Sequence, residues 1–333
     1  MADAGDIVAL EGAAWRLCER LAGSSYGVVW RAESLGGGAP AALKLVNHEQ
    51  MALALPPQRA RWSASAEAEI AFLRALQPWD RRHIVRLLDS GMHDGQPALA
   101  LELLDGDLAR HLAGLRAQGA AVDCLQALDW TGQVNQALAK VHQYGWRYLD
   151  LKPSNLLLDA GSKTLKLADF GTNRPLLDAS AHSYAGTAGW QAPEQFFPDA
   201  ADRYHTDARS DYFALGALLY HLVTGAVLRH GARCAQARRA HGNAAAAQLL
   251  AAHGARPDTL APDEAAHFTR AALGDAGHAG PAHAALLALL RALLAPDPCQ
   301  RPRHALEISR LLAAATDAVR VHAGARPTTR AAA

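Results

Sequence analysis

The sequence predicts an α+β protein in which a small β-rich part precedes a larger helical part. Residues 15–103 read as short apolar strands separated by turns, with one helix among them. From residue 104 onward, apolar residues recur mostly at helical spacing. The chain of 333 residues is long enough for roughly two domains of about 150 residues each. The change of pattern at 103–104 is therefore the expected boundary.

The β-rich part has five candidate strands, at 15–21, 28–32, 41–46, 84–88 and 98–102. Three glycines at 36–38 mark a hairpin loop between the second and third strands. Between the third and fourth strands, Ile70, Leu73 and Leu76 recur at helical spacing. This periodicity predicts one helix over 63–76.

The helical part has four predicted helices, at 125–143, 213–222, 285–294 and 303–315. The second of these is apolar almost all round, so we expect it to be buried. Two brief apolar runs, at 156–158 and 165–167, lie between the first and second helices.

Three stretches carry weak structural signals. Residues 226–284 are rich in alanine, arginine, histidine and glycine and show little periodicity. They are a divergent segment that is either a loose insertion or a partner-binding region, and we favour the first interpretation. Residues 1–14 are expected to form an N-terminal lead, and residues 316–333 a flexible tail.

Composition excludes several classes of protein. The chain has 33 basic and 32 acidic residues, and a net charge of +1 argues against nucleic-acid or membrane-surface binding. No stretch approaches the roughly 20 apolar residues of a membrane span, and the N-terminus lacks the basic start of a secretory signal. The four cysteines lie far apart, which favours reduced thiols and a cytoplasmic protein.

Lysine is scarce. Only five of the 33 basic residues are lysines: Lys44, Lys140, Lys152, Lys163 and Lys166. In a chain that otherwise uses arginine, each lysine is a candidate for chemistry that needs a compact ammonium, although compositional drift would give the same count.

Three short segments supply the residue types that phosphoryl transfer needs. The run 41–44, Ala-Ala-Leu-Lys, places a lysine on a strand. The run 150–155, Asp-Leu-Lys-Pro-Ser-Asn, forms a loop after a long helix, and 169–171, Asp-Phe-Gly, follows a strand. The lysine provides a cation for the phosphates. The aspartates and the asparagine provide carboxylate and amide oxygens for Mg²⁺.

In this order and spacing, the segments resemble those of eukaryotic-type serine/threonine protein kinases, over residues 15–312. The resemblance implies the two-lobed protein kinase fold, with a β-rich N-lobe at 15–103 and a mainly helical C-lobe at 104–315. It also implies ATP as a substrate, Mg²⁺ or Mn²⁺ as the metal, and protein substrates as partners. The oligomeric state is not implied.

The resemblance assigns nucleotide contacts largely to the N-lobe. The residues 21–29 resemble the glycine-rich loop, Leu101 the gatekeeper and 102–104 the hinge. The implied ATP-binding set is Leu21, Gly23, Tyr26, Gly27, Val29, Ala42, Lys44, Leu101, Glu102, Leu104, Asp107 and Leu157. Asp107 is assigned to the ribose, but aspartate is equally suited to cap a helix.

The resemblance also assigns the catalytic residues. Lys44 contacts the phosphates, and Glu69 is its expected helix partner. Glu67 is the alternative, because residues two apart on a helix point about 200° apart and only one can reach the lysine. Asp150 matches the catalytic base and Lys152 the lysine that accompanies the transferred phosphate.

The remaining matches concern metal binding and loop geometry. Asn155 and Asp169 match the metal ligands. Residues 186–194 resemble the substrate-docking end of the activation segment, which we define as residues 169–194. Glu194 is expected to pair with Arg301, and Asp211 to clamp the catalytic loop. Lys163 and Lys166 are expected to be solvated.

Two departures from the family pattern stand out. Ala22 and Ser24 replace the first two glycines of the loop, which restricts the approach of the backbone to phosphates. Tyr148-Leu149-Asp150 replaces the usual His-Arg-Asp, so a phosphate on the activation segment lacks its usual arginine partner. We therefore predict activity without phosphorylation at the candidate sites Thr172, Ser180, Ser183, Tyr184 and Thr187.

Three functions remain open from the sequence. The first is a serine/threonine kinase, which Lys152 favours over a tyrosine kinase. The second is a pseudokinase that only scaffolds a partner, and the intact Lys44, Asp150 and Asp169 argue against it. The third is a small-molecule phosphotransferase of kinase-like fold, against which the docking segment 186–194 argues.

Overall fold

The computed structural model describes residues 2–23, 27–53, 56–178, 186–199, 201, 203–274 and 280–324. The chain divides into two compact units. The first contains the described residues of 1–105 and 157–173, and the second those of 106–156 and 174–333. The chain therefore crosses between the units three times.

The first unit is built on a six-stranded sheet. Its strands are β1 (Ile7–Ala9), β2 (Ala14–Gly23), β3 (Gly27–Ser34), β4 (Ala41–Val46), β5 (Leu87–His93) and β6 (Gln96–Glu102). They run antiparallel in the order β1-β2-β3-β4-β6-β5. Along β4, Leu43 and Leu45 are buried in a core with Trp30, whereas Ala42 and Lys44 alternate with them and are half-buried.

Two helices accompany this sheet, α1 (His48–Leu53) and α2 (Pro56–Ala75), followed by a 3₁₀ turn at Pro78–Asp80. The helix predicted over 63–76 is therefore present, but it begins earlier, at Pro56. The earlier turns contain glutamine, arginine and alanine, which form helices readily but leave few apolar side chains to reveal the period.

A hairpin of β9 (Leu156–Asp159) and β10 (Thr164–Leu167) follows much later in the chain. The sequence assigned this region to the C-lobe, but residues 157–173 pack with the first unit. The backbone explains the difference: the Val85 amide donates to the Leu167 carbonyl, and the Leu167 amide donates to the His83 carbonyl, both at 2.9 Å. The boundary of the first unit also falls after Asp105 rather than after residue 103.

The N-terminal lead predicted at 1–14 includes structure. Ile7–Ala9 forms the edge strand β1, with Ile7 opposite Arg16 and Ala9 opposite Ala14. Val8 is fully buried in the core of the sheet. A three-residue strand with one buried side chain is too short to produce a readable alternation, which is why the sequence missed it.

The second unit is mainly helical. Its helices are α3 (Leu108–Ala117), α4 (Cys124–Gln143), α5 (Pro193–Phe196), α6 (Ala208–Thr224), α7 (Arg229–His241), α8 (Ala245–His253), α9 (Pro262–Leu273), α10 (Pro281–Leu293) and α11 (Ala305–Gly324). The segments between the helices contain three short strands, β7 (Gly106–Asp107), β8 (Trp146–Arg147) and β11 (Arg174–Pro175). They also contain 3₁₀ turns at Pro153–Asn155, Gly242–Ala244 and Pro298–Gln300. The helix α6 is buried along nearly its whole length, as its apolar sequence predicts, and packs on α4, α9 and α10.

The divergent segment 226–284 is not a loose insertion in its described residues. It forms α7, α8 and α9 and the start of α10. Phe196 and Phe197 of the second unit pack there with Cys234, Ala245 and Leu249. Because most of this small core consists of alanine and cysteine, its periodicity is too weak to read from the sequence.

The tail predicted at 316–333 is helical over its first residues. The helix α11 continues to Gly324, and Ala315 and Val319 are buried on its inner face. Residues 325–333 lie outside the described residues.

In the described part of the chain, no single helix is both long and apolar enough to cross a membrane, although 208–224 and 229–253 reach that criterion together across a 108° bend. All four cysteines are free. Burial raises the pKa of the Cys124 and Cys234 thiols to about 12, which makes both thiols unreactive at neutral pH.

Candidate functional site

One face of the sheet in the first unit collects the predicted nucleotide contacts. Val29 lies opposite Lys44 on the neighbouring strand, and Ala42 lies opposite Leu101. Directly paired residues share a face, and Ala42 and Lys44 are two residues apart on one strand. Val29, Ala42, Lys44 and Leu101 therefore line the same face. Leu21, Glu102, Leu104 and Leu157 are half-buried in this unit.

The glycine-rich loop connects β2 and β3. Gly23 pairs with Val28 at the end of the hairpin, and Tyr26 lies outside the described residues, as do Ser24 and Ser25. A Cβ at Gly27 would lie 3.1 Å from the backbone oxygen of Leu45. A side chain at position 27 would therefore make a tight contact with the neighbouring strand, which favours glycine there.

Lys44 lies between two carboxylates. Its Nζ is 2.7 Å from Oε2 of Glu69 and 2.8 Å from Oδ1 of Asp169. Glu69 is 1% exposed, whereas Glu67 is exposed, so the helix turns Glu69 toward the lysine. With both carboxylates within hydrogen-bond distance, Lys44 is not an ordinary solvated strand lysine.

The two carboxylates fix the charge of Lys44. Burial alone would lower the pKa of its ammonium, but the negative charges of Asp169 and Glu69 outweigh burial and raise the pKa above its ordinary value. Glu69 also accepts from the Phe170 amide at 3.2 Å, and Phe170 packs on Phe72 with ring centroids 4.6 Å apart. The helix α2 is thereby joined to both the lysine and the Asp-Phe-Gly segment.

Lys166 is not solvated as expected. Its Nζ lies 2.6 Å from Oε1 of Glu102, and the same oxygen accepts from the Arg86 amide at 2.8 Å. This contact ties the predicted hinge residue to strand β10. Lys163 is exposed on the turn before that strand.

In the second unit, the loop after α4 forms a second cluster around Asp150. Lys152 Nζ donates to Asp150 Oδ2 at 2.7 Å and to the Thr187 hydroxyl at 2.8 Å, and that hydroxyl donates to Asp150 Oδ1 at 2.7 Å. The side chain of Asn155 donates through Nδ2 to Asp150 Oδ2 at 3.1 Å. Thr187 thus joins the docking end of the activation segment to the predicted catalytic base, so its hydroxyl has a structural role.

Asp211 holds the backbone of this loop, as the resemblance implies. Its carboxylate accepts from the Tyr148 amide at 2.8 Å and the Leu149 amide at 2.6 Å. His142 Nε2 also lies 2.8 Å from Asp211 Oδ2. Nothing in the sequence indicated the part of His142, because its partner is 69 residues away.

Each of the two clusters contains one non-glycine residue with a left-handed backbone. Among the described non-glycine residues, Asp94, Leu149, Lys163 and Asp169 have positive φ. Leu149 (67°) directly precedes Asp150, and Asp169 (60°) opens the Asp-Phe-Gly segment. Such conformations cost on the order of 1–3 kcal/mol and persist where the surroundings fix them. Asp211 fixes Leu149, and Lys44 fixes Asp169.

Glu194 and Arg301 pair as expected. Two nitrogens of the guanidinium donate to the two carboxylate oxygens at 2.7 and 2.9 Å. Ser210 donates to the same carboxylate at 2.7 Å. Glu194 at the docking end of the activation segment is thereby bonded to Arg301 and to Ser210 at the start of α6.

Asp107 has the capping role that was the alternative to ribose contact. Its side chain accepts from the Arg110 amide at 2.9 Å and caps α3. Ribose binding by Asp107 stays a prediction.

The donors at the predicted metal ligands suit a hard divalent cation. Asp169 offers carboxylate oxygens on a side chain that is 52% exposed, and Asn155 offers an amide oxygen. Among the described residues, no three histidine, cysteine, aspartate or glutamate side chains cluster as a metal site. The available oxygen donors fit Mg²⁺ or Mn²⁺ carried by nucleotide phosphates, which supply further oxygens.

Comparison with known proteins agrees with the resemblance found in the sequence. A family model described as protein kinase domain matches residues 18–311. Serine/threonine-protein kinase pkn2 of Myxococcus xanthus is 27% identical over 322 residues, which cover 95% of this chain and 34% of the relative. PkaA of Streptomyces coelicolor is 35% identical over 225 residues, covering 64% and 39%. The chain thus spans little more than a third of the length of these curated relatives.

Proposed function

Because this chain belongs to the protein kinase family, we propose that it transfers the γ-phosphate of ATP to serine and threonine hydroxyls of protein substrates. The observation that carries the proposal is the position of Lys44 Nζ between Glu69 and Asp169. This contact joins strand, helix and Asp-Phe-Gly segment in the arrangement that phosphoryl transfer by a kinase requires.

The residues of the first unit bind and neutralise the nucleotide. Lys44 keeps its positive charge at all physiological pH values, because two carboxylates raise its pKa, and it attracts the α- and β-phosphates. Glu69 holds the ammonium in place. The family resemblance assigns Mg²⁺ binding to Asp169 and Asn155, and the metal would further neutralise the phosphate charge when bound.

The residues of the second unit act on the acceptor. Asp150 orients the substrate hydroxyl and takes its proton as the oxygen bonds to the γ-phosphorus and the bond to the leaving ADP oxygen breaks. Lys152 donates to Asp150 and is available to the transferred phosphate. Thr187 and Asp211 support the geometry of Asp150 and its loop.

The alternative functions have less support. A pseudokinase would not need the complete set of Lys44, Glu69, Asp150, Asn155 and Asp169. A small-molecule phosphotransferase would not need a docking segment that Glu194 and Arg301 anchor to the core. A cytoplasmic location stays a prediction from the composition.

Substituting one lysine tests the proposal. Lys44→Arg keeps the charge but replaces a compact ammonium by a planar guanidinium, which cannot occupy the same point between Glu69 and Asp169. We expect transfer of ³²P from ATP to a protein substrate to fall by at least about a hundredfold, since electrostatic groups of this kind contribute that much.

Lys163→Arg is the matched control, because Lys163 is an exposed lysine on the turn before β10. We expect its transfer rate to equal that of the wild type. Equal rates for Lys44→Arg and the wild type would contradict the proposal. Stabilisation by ATP without any transfer would favour the pseudokinase instead.

A further inference from the structure

A buried arginine lies two residues before the position where the family usually has its phosphate-binding arginine. Arg147 is 2% exposed. Its Nη1 donates to the Thr206 carbonyl, and its Nη2 donates to the Asp178 carbonyl at 2.9 Å. Both acceptors are backbone oxygens, and Asp178 belongs to the activation segment. One guanidinium therefore joins three separate parts of the second unit.

The backbone beside Arg147 extends this attachment. Arg147 in β8 lies opposite Arg174 in β11, and Trp146 lies opposite Pro175. The Leu176 amide then donates to the Gly145 carbonyl at 2.7 Å. From Arg174 to Asp178, the activation segment is thus bonded to the stretch 145–147.

The other end of the segment is attached to the same loop. The side-chain amide of Gln195 donates through Nε2 to the Leu149 carbonyl at 2.9 Å. A Cβ on Gly186, whose φ is 99°, would lie 2.5 Å from that carbonyl oxygen. With the bond from Thr187 to Asp150, the residues before and after 179–185 are both fixed on the stretch 145–152.

The charge of Arg147 is already compensated. Burial lowers the pKa of its guanidinium, and the carboxylates of Asp178, Asp211 and Asp207 oppose that effect. A guanidinium stays protonated in proteins, so it must find acceptors when buried. Here the chain itself supplies backbone acceptors for Nη1 and Nη2, whereas the buried Nε has no hydrogen-bond partner among the described residues. The three carboxylates compensate the charge without a phosphate.

We propose that Arg147 is a positioning residue that fixes the start of the activation segment through the Asp178 and Thr206 carbonyls, without a phosphate on the segment. The proposal rests on the proposed kinase function for its effect on catalysis. It also gives a physical basis for activity with Leu149 in place of the usual arginine.

The test compares Arg147→Met, Arg147→Lys and Arg116→Met. Arg116 is the control, because it also donates to a backbone carbonyl of the second unit, that of Gly225 at 3.1 Å. Hydrogen–deuterium exchange is measured on peptides covering 174–178 and 203–206 and on α6. For Arg147→Met we expect at least tenfold faster exchange in the peptides 174–178 and 203–206 and unchanged exchange in α6. For Arg116→Met we expect wild-type exchange in the peptides 174–178 and 203–206.

The same variants are assayed for transfer to a protein substrate. We expect kcat to fall at least tenfold in Arg147→Met with an unchanged KM for ATP, and an intermediate kcat in Arg147→Lys, which retains a single donor group. The wild type treated with phosphatase should keep its full rate, and so should a variant with Thr172, Ser180 and Ser183 changed to Ala and Tyr184 to Phe. Thr187 is excluded from this set because it contacts Asp150.

Three results would overturn the proposal. The first is exchange at 174–178 in Arg147→Met and Arg147→Lys that matches the wild type. The second is faster exchange with an unchanged kcat, and the third is a wild type that loses its rate on dephosphorylation. A wild type without any transfer would refute the proposed function, while the exchange measurement would still decide whether Arg147 fixes the segment.

Discussion

Asp169→Asn is expected to abolish measurable phosphate transfer while leaving the fold intact. The substitution keeps the size of the side chain but removes the charge that would hold the metal and that pairs with Lys44 at 2.8 Å. The loss should exceed about a hundredfold, because the metal and its aspartate neutralise the charge that develops on the transferred group. The side chain is 52% exposed, so the thermal unfolding midpoint should change little.

Asp94→Asn is a matched control for this prediction. Asp94 is also an exposed aspartate with positive φ, 49° against 60° for Asp169, but it lies on the turn between β5 and β6. Its transfer rate should equal that of the wild type. Mg²⁺ should increase the thermal stabilisation by ATP in Asp94→Asn, as in the wild type, but not in Asp169→Asn. Undiminished transfer by Asp169→Asn would remove Asp169 from the mechanism.

Of all the substitutions that we propose, Arg301→Met is expected to lower the free energy of unfolding most. The Arg301 side chain is fully buried, and besides Glu194 it donates to the carbonyls of Ala295 at 2.8 Å and Arg209 at 3.0 Å. Its guanidinium also lies 5.0 Å from the centre of the Phe213 ring. Removing one partner leaves the Glu194 carboxylate without its cation, which costs about 3–5 kcal/mol in buried pairs. Urea unfolding measures this loss.

The exposed pair of Arg203 and Asp199 provides the control for Arg301. Its nitrogen and oxygen are 3.4 Å apart and the arginine is 58% exposed, so Arg203→Met should leave the urea midpoint unchanged. Adding Glu194→Gln to Arg301→Met should recover part of the loss, because the second change removes the unpaired charge. An Arg301→Met variant as stable as Arg203→Met would contradict the role assigned to the buried pair.

The parts of the site that the sequence predicted are those encoded by short-range patterns. The family resemblance assigned Lys44 and Glu69 from short motifs, and helical geometry added that only one of Glu67 and Glu69 can reach the lysine. The Asp150 loop and the Asp169 segment follow from fixed motif spacing. The predicted strand 41–46 matches β4, whose two faces differ clearly in polarity.

The missed parts depend on partners far away in the sequence. In the sequence, nothing distinguishes Arg147 from the other arginines, because its acceptors at Asp178 and Thr206 are distant in the chain. Likewise, the sequence does not show that Lys166 contacts Glu102. The small core at α7 and α8 is built from alanine and cysteine, whose apolar signal is weak. In each case the information lies in tertiary contacts rather than in local periodicity.

The central claim is phosphate transfer to protein hydroxyls with Asp150 as the base. The most direct measurement is transfer of ³²P from [γ-³²P]ATP by the wild type and by Asp150→Asn, with the labelled residues of the protein substrate identified by mass spectrometry. We predict label on serine and threonine with the wild type, and a rate at least about a hundredfold lower with Asp150→Asn. Label on a small molecule but on no protein, or equal rates for the two proteins, would contradict the claim.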